Sequence, residues 1–169
     1  MNEQRIVFFV GHDNSAKTSI AKALSKEIGI PYFKNLNEAN CFRTSFLNEL
    51  HYKGSYLFEI LEATGYSIIK DREIFCEAAY SWAYNRETDI PFILDLDRKY
   101  RALNLHVILC YKTKLVDFQD HLITEDKIPA IMEGYHRIRK QSINPWLLLD
   151  TTDENLPEQL KKIRSFLGR

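Results

Sequence analysis

The residues best suited to chemistry come early, in Gly11-His12-Asp13-Asn14-Ser15-Ala16-Lys17-Thr18, between an apolar run and a helical pattern. A strand that turns abruptly into a helix points that helix's free N–H groups at one spot, where the positive end of the helix dipole also lies. A lysine at the seventh position reaches the β- and γ-phosphates of a nucleotide, and the next hydroxyl reaches magnesium. The spacing G-x-x-x-x-G-K-[ST] is intact from Gly11 to Lys17 and Thr18, with Ala16 in place of the second glycine. That glycine normally lets the backbone approach the phosphates, so the alanine methyl is expected to weaken binding without abolishing it. Within the loop, His12 reads as a solvent-facing residue. Asp13 either takes a hydrogen bond from a sugar hydroxyl or pairs with a basic neighbour. Asn14 and Ser15 complete the cradle.

A second pair of chemical residues, Asp71-Arg72, follows the apolar run Tyr66 to Lys70. If that run is a strand, the pair sits at the carboxyl edge of a sheet, where open α/β folds bind ligands. Arg72 could then clamp donor and acceptor phosphates as charge redistributes. Asp71 could orient magnesium-bound water or accept a hydroxyl proton. A surface ion pair opening a helix would leave the same two letters.

The elements that must hold these residues alternate along the chain. Ile6 to Val10 is a continuous β-branched and aromatic run, as in a strand covered on both faces. Further strands are expected at Ile30–Phe33, Tyr66–Lys70, Leu105–Tyr111 and Trp146–Leu149. Helical spacing runs from Thr18 to Ile28, capped by Gly29. It returns as two faces, Phe42-Phe46-Leu50 and Leu57 to Thr64, and then around Ala78–Trp82, Ile93–Leu103, Ile128–Ile138 and Leu156–Leu167. Strands alternating with helices imply a parallel sheet with right-handed crossovers. The expected fold is α/β, a three-layer P-loop NTPase fold with five parallel strands flanked by helices, one domain over residues 1–169. Residues 113–124 are the least regular, and a short lid is expected at 113–126, which holds Lys114 as its one lysine or arginine; Arg137 and Lys140 share a face of the next helix.

Composition narrows the class of ligand. The chain of 169 residues balances 23 basic against 23 acidic side chains, and 45% of it is hydrophobic, enough for a core. A net charge of zero speaks for a small ligand and against nucleic acid, whose backbone calls for a basic excess. Cys41, Cys76 and Cys110 are scattered, without zinc spacing, and read as free thiols of a cytoplasmic protein. The apolar run near the N-terminus is too short to span a membrane.

The segment Asp71-Arg72-Glu73-Ile74-Phe75-Cys76-Glu77-Ala78-Ala79-Tyr80 resembles a motif of the thymidylate kinase-like and deoxynucleoside kinase-like enzymes: Asp-Arg, three residues, Ser-Glu, one residue, Val-Tyr. Asp71, Arg72, Glu77 and Tyr80 match it, while Cys76 and Ala79 replace serine and valine. The loop resembles the same group through Asp13. Leu148 to Asp153 resembles the last strand and turn of small, often phage-encoded, deoxynucleotide kinases.

What the resemblance implies is transfer of the γ-phosphate of Mg-ATP to a deoxynucleoside monophosphate. Lys17 and the loop backbone would hold the donor phosphates, Thr18 and Asp71 would act at the magnesium ion, and Arg72 would contact the transferring or acceptor phosphate. Glu77 and Tyr80 would line the acceptor pocket, and Thr152 and Asp153 would lie near the adenine. Arg43 would meet the acceptor or remain a solvated helix residue. A homodimer through the helices near Phe42–Thr64 or Ala78–Tyr84 is also compatible with the resemblance. A hydroxyl acceptor, on a deoxynucleoside or a modified DNA base, would instead need a general base, for which Glu38 is placed. A nucleotide-binding module without catalysis, marked by Ala16, is the alternative outside the enzymes.

Overall fold

The computed structural model describes residues 4–34, 46–114 and 125–168, with the side chains of residues 46–49 left aside. Its strands are β1 (Ile6–Val10), β2 (Tyr32–Lys34), β3 (Ile68–Asp71), β4 (Leu105–Tyr111) and β5 (Trp146–Asp150). They form one parallel sheet in the order β2-β3-β1-β4-β5. Among the described residues six α-helices flank it: α1 (Lys17–Ile28), α2 (Phe46–Thr64), α3 (Ile74–Ala83), α4 (Ile90–Arg101), α5 (Ile128–Arg139) and α6 (Leu156–Phe166).

All five side chains of β1 are fully buried, as a central parallel strand requires, and their alternation divides the core. Ile6, Phe8 and Val10 face the layer of α2 to α5, where Phe8 packs edge-on against Tyr100 at 5.1 Å between ring centres. Val7 and Phe9 face the opposite layer, built from α1 and α6 through Ile20, Leu24 and Ile163. The expected three-layer α/β fold with five parallel strands is the one found.

One element departs from expectation. The two helical faces before Gly65 belong, over the described residues, to the single helix α2, which runs unbroken through Gly54. Glycine usually weakens a helix interior, but here it answers a packing demand. A Cβ at residue 54 would lie 2.7 Å from Leu96 Cδ1 and 3.3 Å from the Phe92 ring, so its absence lets α2 lie close on α4. Among the described residues no helix is long and apolar enough to cross a membrane.

Candidate active site

The loop leaving β1 is shaped by positions that few residues fit. Gly11 has φ 141°, and a Cβ there would stand 2.1 Å from the Cys110 carbonyl oxygen, so only glycine fits against β4. Asn14 (φ 61°) and Ala16 (φ 58°) are both left-handed. Asparagine tolerates that region, whereas alanine is strained there by its methyl group. The cost of replacing glycine with Ala16 is therefore one of backbone conformation as well as of room for a phosphate. Helix α1 starts at Lys17 with no side-chain cap and no acidic residue in its first turn, which leaves its N–H groups for an anion.

Lys17 is nearly buried, and its ammonium donates to the His12 carbonyl at 2.9 Å. Burial lowers its pKa, and nearby negative groups including Asp71 counter that effect. Beside it, Asp71 ends β3 fully buried. Its Oδ2 accepts from the hydroxyl of Thr18 and from that of Tyr32, the latter at 3.1 Å. Its Oδ1 is buried without a hydrogen-bond partner.

A hydroxyl and a carboxylate held together, with one buried carboxylate oxygen unmatched, suit a hard divalent cation that completes its shell with water and phosphate. No cluster of three or more His, Cys, Asp or Glu side chains among the described residues offers an all-protein metal cage. Thr18 and Asp71 are thus the residues that would hold magnesium.

Arg72 follows in a left-handed conformation (φ 67°) while its N–H continues the sheet to the Phe9 carbonyl at 2.9 Å. Strain of this kind persists where surrounding structure over-determines it, typically at functional sites. It turns the guanidinium toward the loop, where it pairs with Asp13 and lies 5.7 Å from the Tyr80 ring centre. The Tyr80 hydroxyl donates to the other Asp13 oxygen at 2.9 Å, and burial lifts its pKa to about 12, so it keeps its proton. Of the two roles open to Asp13, the structure shows the pairing with a basic neighbour.

Residues 13–19, Lys34 and Arg72 line a cleft of about 270 Å³. Lys34 ends β2, directly opposite Asp71 in the strand register.

His12 corrects an expectation. It is fully buried, not solvent-facing. Its Nε2 accepts the Lys112 N–H at 3.1 Å, so its proton sits on Nδ1, which donates to the Asp13 carbonyl at 2.6 Å. Burial, with the Lys17 and Lys112 charges, lowers its pKa to about 4.

The remaining candidates spread outward. Glu77 accepts from Ser81 at 2.7 Å and pairs with Arg86 at 3.5 Å, away from the described cleft. Thr152 lies in the turn after β5, where its hydroxyl donates to Asp150 at 2.5 Å and its oxygen accepts the Thr113 N–H at 2.9 Å. Asp153 is its exposed neighbour. Arg137 stacks on Trp82, 4.3 Å from the ring centre. Arg43, Glu38 and most of the expected lid fall outside the described residues.

Three residues of the site had no sequence signal. Tyr32 holds Asp71, Lys34 enters the cleft, and buried Thr151 ties the loop to β5 by donating to the Ser15 carbonyl at 3.0 Å. A parallel sheet of this order, with such a loop after its first strand, is the fold of the P-loop kinases.

Solved structures agree over nearly the whole chain. The YorR protein of Bacillus subtilis, solved in complex with phosphorylated GDP, is 22% identical, with a TM-score of 0.68 over 96% of this chain and 95% of that one. Thymidylate kinase from Candida albicans is 12% identical, with a TM-score of 0.64 over 98% and 92%. A deoxyadenosine kinase from M. mycoides, solved with dCMP and dCDP, is 17% identical, with a TM-score of 0.60 over 96% and 98%. No protein-family model and no curated protein matches the chain. At these identities the likeness is one of fold.

Proposed function

We propose that the chain is a kinase that transfers the γ-phosphate of Mg-ATP to a deoxynucleoside monophosphate. The observation that carries this reading is the convergence of Lys17, Thr18, Asp71 and Arg72 from two adjacent strand ends around the phosphate loop. The N–H groups of the loop and of α1, with Lys17, hold the donor phosphates. Magnesium, when bound at Thr18 and Asp71, supplies positive charge to the phosphoryl oxygens. Arg72 exchanges Asp13 for the transferring phosphate, and the field of α1 and Lys17 favours negative charge where it builds up.

The acceptor side supports a phosphate over a hydroxyl. A phosphate needs cations, and the β2–β3 side of the cleft presents Lys34 and Arg72.

The test is incubation with Mg-ATP and a panel of deoxynucleosides, their monophosphates and DNA, with products resolved by chromatography. Formation of a deoxynucleoside diphosphate is the expected outcome. Transfer only to nucleosides or DNA would replace the phosphate acceptor by a hydroxyl. ATP binding with no transfer at all would leave a binding module.

A further inference from the structure

The phosphate loop is tied to neighbouring strand ends on both of its arms. On the α1 side, the Thr151 hydroxyl holds the Ser15 carbonyl. On the β1 side the tether is the His12 ring, fixed at Nε2 by the Lys112 N–H and bonded at Nδ1 to the Asp13 carbonyl. Both cations of the proposed reaction rest on this second arm. Lys17 sits on the His12 carbonyl, and Arg72 sits on the Asp13 carboxylate.

We infer that His12 is a positioning residue: its neutral ring, bridging Lys112 and Asp13, sets the backbone of residues 12 and 13 and so the placement of Lys17 and Arg72. The inference rests on the kinase reading above and adds a residue to it.

The chemistry favours imidazole at this point. An apolar ring of similar size would leave the half-buried Lys112 N–H without its acceptor, and the backbone would shift to find one. An imidazolium would set a second N–H against that of Lys112, beside two ammonium groups. Only the neutral Nδ1–H tautomer satisfies both contacts at once. Small displacements matter here, because phosphoryl transfer depends on placing charges around atoms in line.

Two variants and one spectrum test this on the full chain. His12→Phe is expected to lower kcat with the best acceptor on the order of tenfold, while the KM for ATP moves by less than about threefold. His12→Gln, whose side-chain oxygen can accept the Lys112 N–H, is expected to recover most of that loss. In the wild-type protein near neutral pH, long-range 1H–15N spectra should show one imidazole, absent from His12→Gln, protonated at Nδ1 only.

Wild-type kcat in His12→Phe, a loss confined to KM, or a His12→Gln no better than His12→Phe would overturn the inference. So would an imidazole protonated at Nε2, which decides the matter even where His12→Phe does not fold. No transfer by the wild-type chain would overturn the kinase reading and this inference with it, whereas transfer that His12→Phe leaves intact would overturn this inference alone.

Discussion

The ends of β1 and β3 lie side by side in the sheet, and each leads into a non-glycine residue with a left-handed backbone, Ala16 in the loop and Arg72 after β3. The strain per residue is similar, about 1–2 kcal/mol. Its meaning differs. At Ala16 nothing beyond Cβ is present to be aimed, so the strain follows only from the lack of glycine. At Arg72 the same backbone turn directs a guanidinium into the cleft, and the side chain that causes the strain is the one the site uses. Strain therefore marks function only where the strained side chain has an active-site partner.

Substitutions separate the two. Lys17→Ala removes the buried cation of the loop and should cut transfer by more than about tenfold in a steady-state assay, the largest loss expected. Arg72→Gly relieves the backbone while deleting the guanidinium. Turnover should also fall more than about tenfold, with thermal stability kept or raised; unchanged turnover would break the contrast, because Arg72 would then be strained without use.

A pH effect comes next. His12 has a pKa of about 4 in the folded chain against an ordinary value of 6.5. Between these values the unfolded chain binds the extra proton, so stability should fall as pH drops from 6.5 toward 4. Chemical denaturation across that window should show a shallower decline in His12→Phe. The smallest effect is expected from Ala16→Gly, which should raise stability by up to about 1 kcal/mol and maintain or tighten ATP binding. Marked loss of ATP affinity would show that the alanine methyl is fitted to its place.

Much of the scaffold was legible because its signals are local. Five apolar runs gave the strands, and the spacing from Gly11 to Thr18 gave the loop with the two residues that now meet Asp71 and the His12 carbonyl. The pairing of loop with Asp71-Arg72 was also readable, since both follow strands. What escaped depends on partners distant in sequence. The His12 acceptor role needs Lys112, the hold on Asp71 needs Tyr32, and the anchor of Ser15 needs Thr151. The tolerance of α2 for Gly54 depends on Leu96 and Phe92, neighbours in space that cannot be seen from α2 alone. Glu77 matched a family spacing, but its partners Ser81 and Arg86 lie outside that motif.

Helix α5 carries a consequence of its own. The Tyr135 hydroxyl donates to the Gly11 carbonyl at 3.3 Å, and the residue before it, Gly134, lies so close to α3 that a Cβ would stand 2.7 Å from the Ala79 Cα. Any side chain at position 134 would wedge the two helices apart and draw Tyr135 away from the loop. A lesion more than a hundred residues from Gly11 in the chain would then present as a defect in nucleotide handling. A random-mutagenesis screen for lost phosphate binding should accordingly recover position 134 alongside the loop itself.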